Sequence, residues 1–216
     1  MADPAKAGPM QAYMKSELPF YGVQKPARDL ALREVFAAHG LETFDEWRGA
    51  VLELWRGARY REERYAAIAL VRHKTYRRYR TLDALPLYEE LIVTGAWWDF
   101  VDDVAGLVGE LLRAQRDVMS AVMREWSRDD NLWKRRVSII CQVGFKRDTD
   151  LELLYDCIGP NLADREFFIR KAIGWALRDY AWTDPAEIAR YVAEHEAELS
   201  PVSRREATKN LARLLA

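Results

Sequence analysis

Trp98 and Asp102 stand four residues apart in the stretch Gly95-Ala96-Trp97-Trp98-Asp99-Phe100-Val101-Asp102-Asp103. On a helix that spacing places an indole and a carboxylate on one face, one turn apart. The next positions on that face are Ala105, Gly106 and Gly109. A core stripe would carry bulk there, and a solvated face would carry Lys, Glu or Arg. An acid beside an aromatic wall, with small residues behind it, suits a surface that something else approaches closely. The chemistry open to such a pair is electrostatic: a fixed carboxylate can stabilise a developing positive charge.

Two further stretches break the ordinary pattern. In Asn131-Leu132-Trp133-Lys134-Arg135-Arg136-Val137-Ser138-Ile139-Ile140, Arg136 has Leu132, Trp133, Ile139 and Ile140 as its helical neighbours. A cation inside an apolar stripe needs either an internal carboxylate or an external anion. Asp102 could be that carboxylate. In Phe167 to Tyr180, Trp175 shares a face with Lys171 and Arg178, one turn away on either side. An aromatic between two cations is an unusual core position and a natural platform beside a phosphate backbone; the alternative is an aromatic packed between two helices.

The elements that must position these residues are helical. The spacing predicts a short helix over Pro9–Glu17, a loop over Leu18–Lys25, and a helix from Pro26 to His39 stopping at Gly40. Thr43 and Glu46 form a capping box ahead of a stripe of Phe44, Trp47, Val51, Leu54 and Trp55. Further helices are expected from Tyr60 to Lys74, from Asp83 or Pro86 to Gly95, from Trp97 to Leu112 and from Arg116 to Trp126. Asp129 or Asp130 should cap the next, Thr149 or Asp150 a short one, and Asp164 a long one reaching Tyr180. Asp184-Pro185 and Ser200-Pro201 open the last two. No period-2 run bounded by turn residues appears, so no strands are expected. Helix pairs recur every ~35 to 45 residues, the HEAT or armadillo range. The expected fold is an all-α superhelical stack of antiparallel helix pairs, a single domain over 1–216, with one concave basic face built from every second helix. A compact irregular bundle is the alternative.

Composition narrows the classes. The chain has 216 residues, is 50% hydrophobic and carries a formal net charge of -1, so global charge argues neither for nor against nucleic acid. Locally, Arg72 to Arg80 is dense in cations, Arg77 and Arg78 among them, with tyrosines interleaved; smaller clusters lie at Lys134-Arg135-Arg136, Lys146-Arg147 and Arg204-Arg205. These clusters either neutralise phosphates or form solvated helix faces. Cys141 and Cys157 have no metal-ligand spacing and suit buried free thiols in a reducing compartment. His39, His73 and His195 are scattered, so no metal site is expected. No signal-peptide core or membrane-length apolar run is present, and a cytoplasmic, monomeric protein is expected.

Most of the chain resembles the AlkD-type DNA alkylation repair family, the HEAT-like-repeat DNA glycosylases. The resemblance is carried by Ala12-Tyr13-Met14-Lys15 with the Phe20-Tyr21-Gly22 loop, by Glu89 to Thr94, by Trp97-Trp98-Asp99 with Asp102, by Asn131, Trp133 and Arg136, and by Phe167 to Tyr180. It implies that Asp102 is the catalytic carboxylate. Trp98 and Trp175 would be aromatic walls against the damaged nucleotide, Arg136 would contact a phosphate near the lesion, and Tyr13 would lie at the cleft edge. It implies excision of cationic N3- or N7-alkylated purines, of the 3-methyladenine and 7-methylguanine type, from duplex DNA without base flipping. No cofactor is implied, and a bacterial-type, nucleoid-associated location is. Only twelve residues precede Tyr13, where the family usually has a further helix, so the first repeat is expected to be shortened or differently built. Two other classes fit the same residues: a non-catalytic DNA-structure-binding protein, and a protein-interaction scaffold whose Arg136 and Trp175 serve an acidic peptide.

Overall fold

The computed structural model describes residues 2–216, and among them it contains thirteen α-helices, four short 3-10 turns and no strand. The chain is an all-α stack of antiparallel helix pairs. Its contacts divide it into two compact units, 1–87 and 88–216.

The first unit holds α1 (Pro4–Met14), α2 (Lys25–Ala38), α3 (Phe44–Arg56) and α4 (Arg61–Arg72). Helix α1 begins five residues earlier than the sequence pattern suggests. Asp3 caps it by accepting from the Ala5 amide, Pro4 occupies the first turn, and Pro9 is tolerated inside. The loop that follows is tied to α4 by a buried acid. Glu62 accepts from the backbone N–H groups of Tyr21 (3.1 Å), Gly22 (3.0 Å) and Val23 (3.0 Å). Three amide donors satisfy a carboxylate that burial alone would disfavour. Gly22 has φ +82°, and a side chain there would run into the Asp3 carbonyl. The predicted capping box of α3 is present, with Thr43 and Glu46 serving each other's amides.

Helix α4 ends at Arg72, two residues before the expected Lys74, because Arg80 folds back on its terminal carbonyls. The Arg80 guanidinium donates to Val71 (3.1 Å), Arg72 and His73 (3.2 Å). The intervening Lys74–Tyr79 is a 3-10 turn that buries Tyr76 and Tyr79 and leaves Arg77 and Arg78 outside.

Helix α5 (Leu85–Gly95) spans the division between the units. The second unit continues with α6 (Trp98–Ala114), α7 (Arg116–Trp126), α8 (Leu132–Ile140), α9 (Leu151–Ile158), α10 (Phe167–Tyr180), α11 (Pro185–Glu194), α12 (Pro201–Thr208) and α13 (Leu211–Leu214). Helices α6, α8, α10 and α12 pack in succession as one layer, each paired with the helix that follows it. The core side of α6 carries Phe100, Val101, Val104, Leu107, Val108 and Leu111, all buried. Each such side chain contributes about 1.5–3 kcal/mol relative to an exposed one.

One set of polar contacts between consecutive repeats recurs at a nearly constant offset. Arg136 reaches Asp102, Arg124 reaches Asp156, Tyr155 reaches Glu187, Asn161 reaches the Ser127 carbonyl, and Ser203 reaches the Arg170 carbonyl. The separations run from 32 to 34 residues. The layer helices α6, α8, α10 and α12 start at Trp98, Leu132, Phe167 and Pro201, at the short end of the spacing expected from the sequence.

Two caps differ from expectation. Asn131, not Asp129 or Asp130, caps α8 by accepting from Trp133 and Lys134. Asp164 does not cap α10, which starts after Glu166 with no side-chain cap. Asp164 instead accepts from the Glu166 amide (2.8 Å) and from Arg135 (3.1 Å). Ser200 caps α12, but α13 rather than α12 is last.

The small strip on α6 is not one open surface. Gly109 is buried, and a methyl there would be driven into the Cys141 carbonyl and within 3.2 Å of the Phe145 ring. Ala105 is buried too, and only Gly106 faces open space. Gly109 therefore sets how closely α6 approaches the end of α8. Gly109→Ala is expected to destabilise by about 1–3 kcal/mol through overpacking. Gly106→Ala should stabilise by roughly 0.5–1 kcal/mol through helix propensity. Urea midpoints of the two variants, moving in opposite directions, check the pair.

Candidate active site

Asp102 lies on α6, one turn after the half-buried Trp98. Arg136 comes to it from α8. The guanidinium grips the carboxylate in a fork, Nε to Oδ1 at 2.7 Å and Nη2 to Oδ2 at 2.8 Å. Its third arm, Nη1, donates to the Phe168 carbonyl of α10 at 2.6 Å. That carbonyl belongs to the first turn of α10, yet it gains a charged donor from α8, the preceding helix of the same layer. One arginine thus ties three successive helices together at one point. The fork is the geometry that makes an arginine–carboxylate pair directional as well as attractive.

The pair is unevenly buried. The Arg136 side chain is 6% exposed and the Asp102 side chain 18%. The acid therefore keeps an opening that its partner lacks. Burial holds the Asp102 carboxyl above the ordinary carboxylate range, the two Arg136 hydrogen bonds oppose that rise, and neighbouring Asp99 and Asp103 add to it.

Aromatic rings enclose the pair. The guanidinium carbon lies 6.0 Å from the ring centres of both Trp175 and Phe168. Phe168 packs against Trp133 (5.1 Å) and edge-on to Trp97 (5.4 Å), and Trp97 meets Trp133 at 6.4 Å. Trp97 is thus part of the packing behind the site. The structure brings Asp102, Arg136 and Trp175 into one place, with Trp98 on the turn before Asp102. Phe168 was not singled out by the sequence as a site residue. Its carbonyl could not have been, since backbone acceptors leave no mark in residue type.

The predicted cation clusters are arranged differently from a free basic surface. Lys134 is buried between Glu89 (2.8 Å) and Asp129 (2.5 Å), and its ammonium lies 5.3 Å from the Trp126 ring centre. Arg135 donates to the Asp129 and Asp130 carbonyls and to Asp164. The run Lys134-Arg135-Arg136 is not a solvated face, since each of its three cations is held in an internal pair. Lys171 and Arg178, one turn either side of Trp175, both pair with Glu206 of α12. In the first unit Tyr13 is 73% exposed on α1, and Arg77 is exposed. Arg78 is exposed but lies over the Tyr79 ring at 4.7 Å and donates to its hydroxyl at 2.9 Å. Both cysteines are buried and free. Among the described residues no group of His, Cys, Asp and Glu could hold a metal ion, and no helix is long and apolar enough to cross a membrane.

A family model described as DNA alkylation repair enzyme matches residues 1–211. The chain belongs to the DNA alkylation repair enzyme family. Among solved structures, the chain is similar to a predicted DNA alkylation repair enzyme from Enterococcus faecalis. The two share 28% sequence identity with a TM-score of 0.82, over 99% of this chain and 98% of that one. No curated protein matches. Membership in the DNA alkylation repair enzyme family assigns the chain a role in DNA repair, with DNA as its partner.

Proposed function

We propose that the chain, acting as one domain, is a monofunctional DNA glycosylase that releases cationic N3- or N7-alkylated purines from duplex DNA. The observation that carries this reading is the forked Asp102–Arg136 pair, set among Trp175, Phe168 and Trp97 with its acid side left partly open. An alkylated purine of this kind bears a positive charge and leaves as a neutral base. No acid has to protonate it. The C1′–N bond breaks with its electron pair going to the base, and charge builds on the sugar as an oxocarbenium ion. Asp102 stabilises that charge, orients a water toward C1′ and receives its proton, leaving free base and an abasic site.

Arg136 holds the carboxylate in one orientation, so no reorganisation is needed as the charge develops. Two of its five N–H groups bond neither Asp102 nor the Phe168 carbonyl, and at 6% exposure they would meet a phosphate oxygen beside the lesion only through the opening on the acid side. Trp98 and Trp175 provide flat apolar faces against the sugar and backbone, an arrangement that acts on the nucleotide without drawing the base into a pocket. Tyr13, Arg77 and Arg78 are exposed groups of the first unit suited to further DNA contacts.

Incubation with duplex DNA methylated at N7 of guanine, followed by chromatography of the released base, tests the reading. The protein should release 7-methylguanine and leave sites that cleave on heating in alkali, while unmethylated duplex stays intact. Trp175→Ala is expected to reduce the single-turnover rate by about tenfold or more, since a base-sized aromatic contact is worth about 1–3 kcal/mol. Duplex binding without base release would instead assign a DNA-structure-binding protein.

A further inference from the structure

Glu206 stands where a DNA phosphate would be expected. It belongs to α12 and accepts from Lys171 at 2.7 Å through one oxygen and from Arg178 through the other. These two cations bracket Trp175, four residues before it and three after. The position of Glu206 follows from a close helix approach. Gly174, next to Trp175, is buried, and a Cβ there would lie 2.5 Å from the Glu206 Cβ and 2.8 Å from the Ser203 carbonyl. Only glycine lets α12 come so near, and that approach sets the carboxylate between the two cations. The Glu206 side chain is 16% exposed, whereas Lys171 is 36% and Arg178 25%. The acid is the inner member of the trio and the cations its outer members. The Lys171 hydrogen bond, with the charges of Lys171 and Arg178, holds the Glu206 carboxyl below the ordinary range, so it is a full anion at neutral pH.

We propose that Glu206 is a specificity-determining residue that competes with DNA phosphate for Lys171 and Arg178 and so weakens the grip on undamaged duplex. This inference deepens the DNA-glycosylase reading and rests on it. Two cations without Glu206 would bind any phosphate backbone by counterion release, whatever the state of the bases. With Glu206 in place, a phosphate gains only what remains after an existing pair is loosened. The protein then depends more on contacts that a lesion alone provides at Asp102. Glu206 touches neither the acid nor the reacting sugar; it acts through the two cations beside Trp175.

The test is the salt dependence of binding to unmethylated duplex, measured by fluorescence anisotropy for the full chain and for Glu206→Gln. Each phosphate contact contributes a slope of about 0.9 in log K against log salt. Glu206→Gln is expected to steepen the slope by about one contact and to tighten binding about three- to tenfold near 0.1 M salt. Unmethylated duplex should become a correspondingly stronger inhibitor of base release, seen as a raised apparent KM at nearly constant kcat. Lys171→Gln added to Glu206→Gln should bring the slope back toward the parental value. A purely structural Glu206 would lower the melting temperature and leave the slope unchanged, and that result overturns the proposal. If Glu206→Gln does not fold, Glu206→Asp replaces it: one methylene shorter, the acid cannot span both cations, and the slope should steepen by a smaller amount. An unchanged slope in Glu206→Asp overturns the proposal equally. A parental protein that releases 7-methylguanine while the slope stays fixed refutes the Glu206 role alone. A parental protein that neither binds duplex nor releases base refutes both readings.

Discussion

Asp102→Asn is expected to lower the single-turnover rate of 7-methylguanine release by about 10²–10³ or more, the range for removing one preorganised group aimed at developing charge. The substitution keeps shape and one acceptor but loses the negative charge facing the sugar. It also strands Arg136, which at 6% exposure has little water to turn to. Removing one partner of a buried pair costs about 3–5 kcal/mol. Because Asp102 is partly exposed and asparagine still accepts one hydrogen bond, a loss of about 1–3 kcal/mol is expected here. The variant is therefore not a silent knockout of charge, and its rate has to be compared at a temperature well below its own melt. The parental pH profile should agree with it. Burial holds Asp102 above the ordinary carboxylate range, so the rate should fall on the acid side with a midpoint higher than that of an ordinary aspartate. A parental rate in Asp102→Asn, or an acid limb that survives in it, would place the chemistry elsewhere.

Arg136→Met should be the more damaging change to the fold. Methionine matches the stem, but Asp102 loses both donors of the fork and the Phe168 carbonyl loses its charged donor. A loss of about 3 kcal/mol is expected, at the low end for a broken buried pair because Asp102 retains some water. The pH dependence carries the sign. Without Arg136 the carboxyl of Asp102 is pushed further above its unfolded value. A carboxyl raised in the folded state contributes stability that is full below the unfolded pKa and is lost as pH rises through the folded one. The deficit of Arg136→Met against the parent should therefore be small at acid pH and grow toward neutrality, as read from urea midpoints at several pH values. Base release should fall with it, since the carboxylate is both less ionised and less fixed. If Arg136 serves chiefly a phosphate, the variant would instead keep its midpoint and flatten the salt slope of DNA binding.

The helices were legible because their signals are local. Thr43 with Glu46, Asp150, Asp184 and Ser200 act within one turn, and each caps the helix its position suggests. The anomaly at Arg136 was legible for the same reason: a cation among Trp133, Leu132, Ile139 and Ile140 demands a partner. Which partner it takes depends on how α6 and α8 meet, and the structure answers with Asp102. What escaped the sequence depends on tertiary partners. Asp164 has the residue type of a cap, but Arg135 and the turn before α10 draw it elsewhere. Gly109 reads as open space along a helix face, whereas the approach of Cys141 makes it a contact point. Lys171 and Arg178 read as free cations because Glu206 is 28 residues or more away in the chain, and nothing nearby in sequence announces it.

The shared offset of those five polar contacts also bears on how the second unit assembles. Each of them closes a loop of about one repeat, so none waits for a distant part of the chain. Such topologies have low contact order and form by adding neighbours to an existing edge. Asp102 and Arg136 can join once α8 has docked on α6, before α10 has been synthesised. The Phe168 carbonyl and Trp175 arrive with the next repeat, and Glu206 with the one after. The acid is thus oriented first, its aromatic wall second and the restraint on its cations last, in the order in which a ribosome would release them.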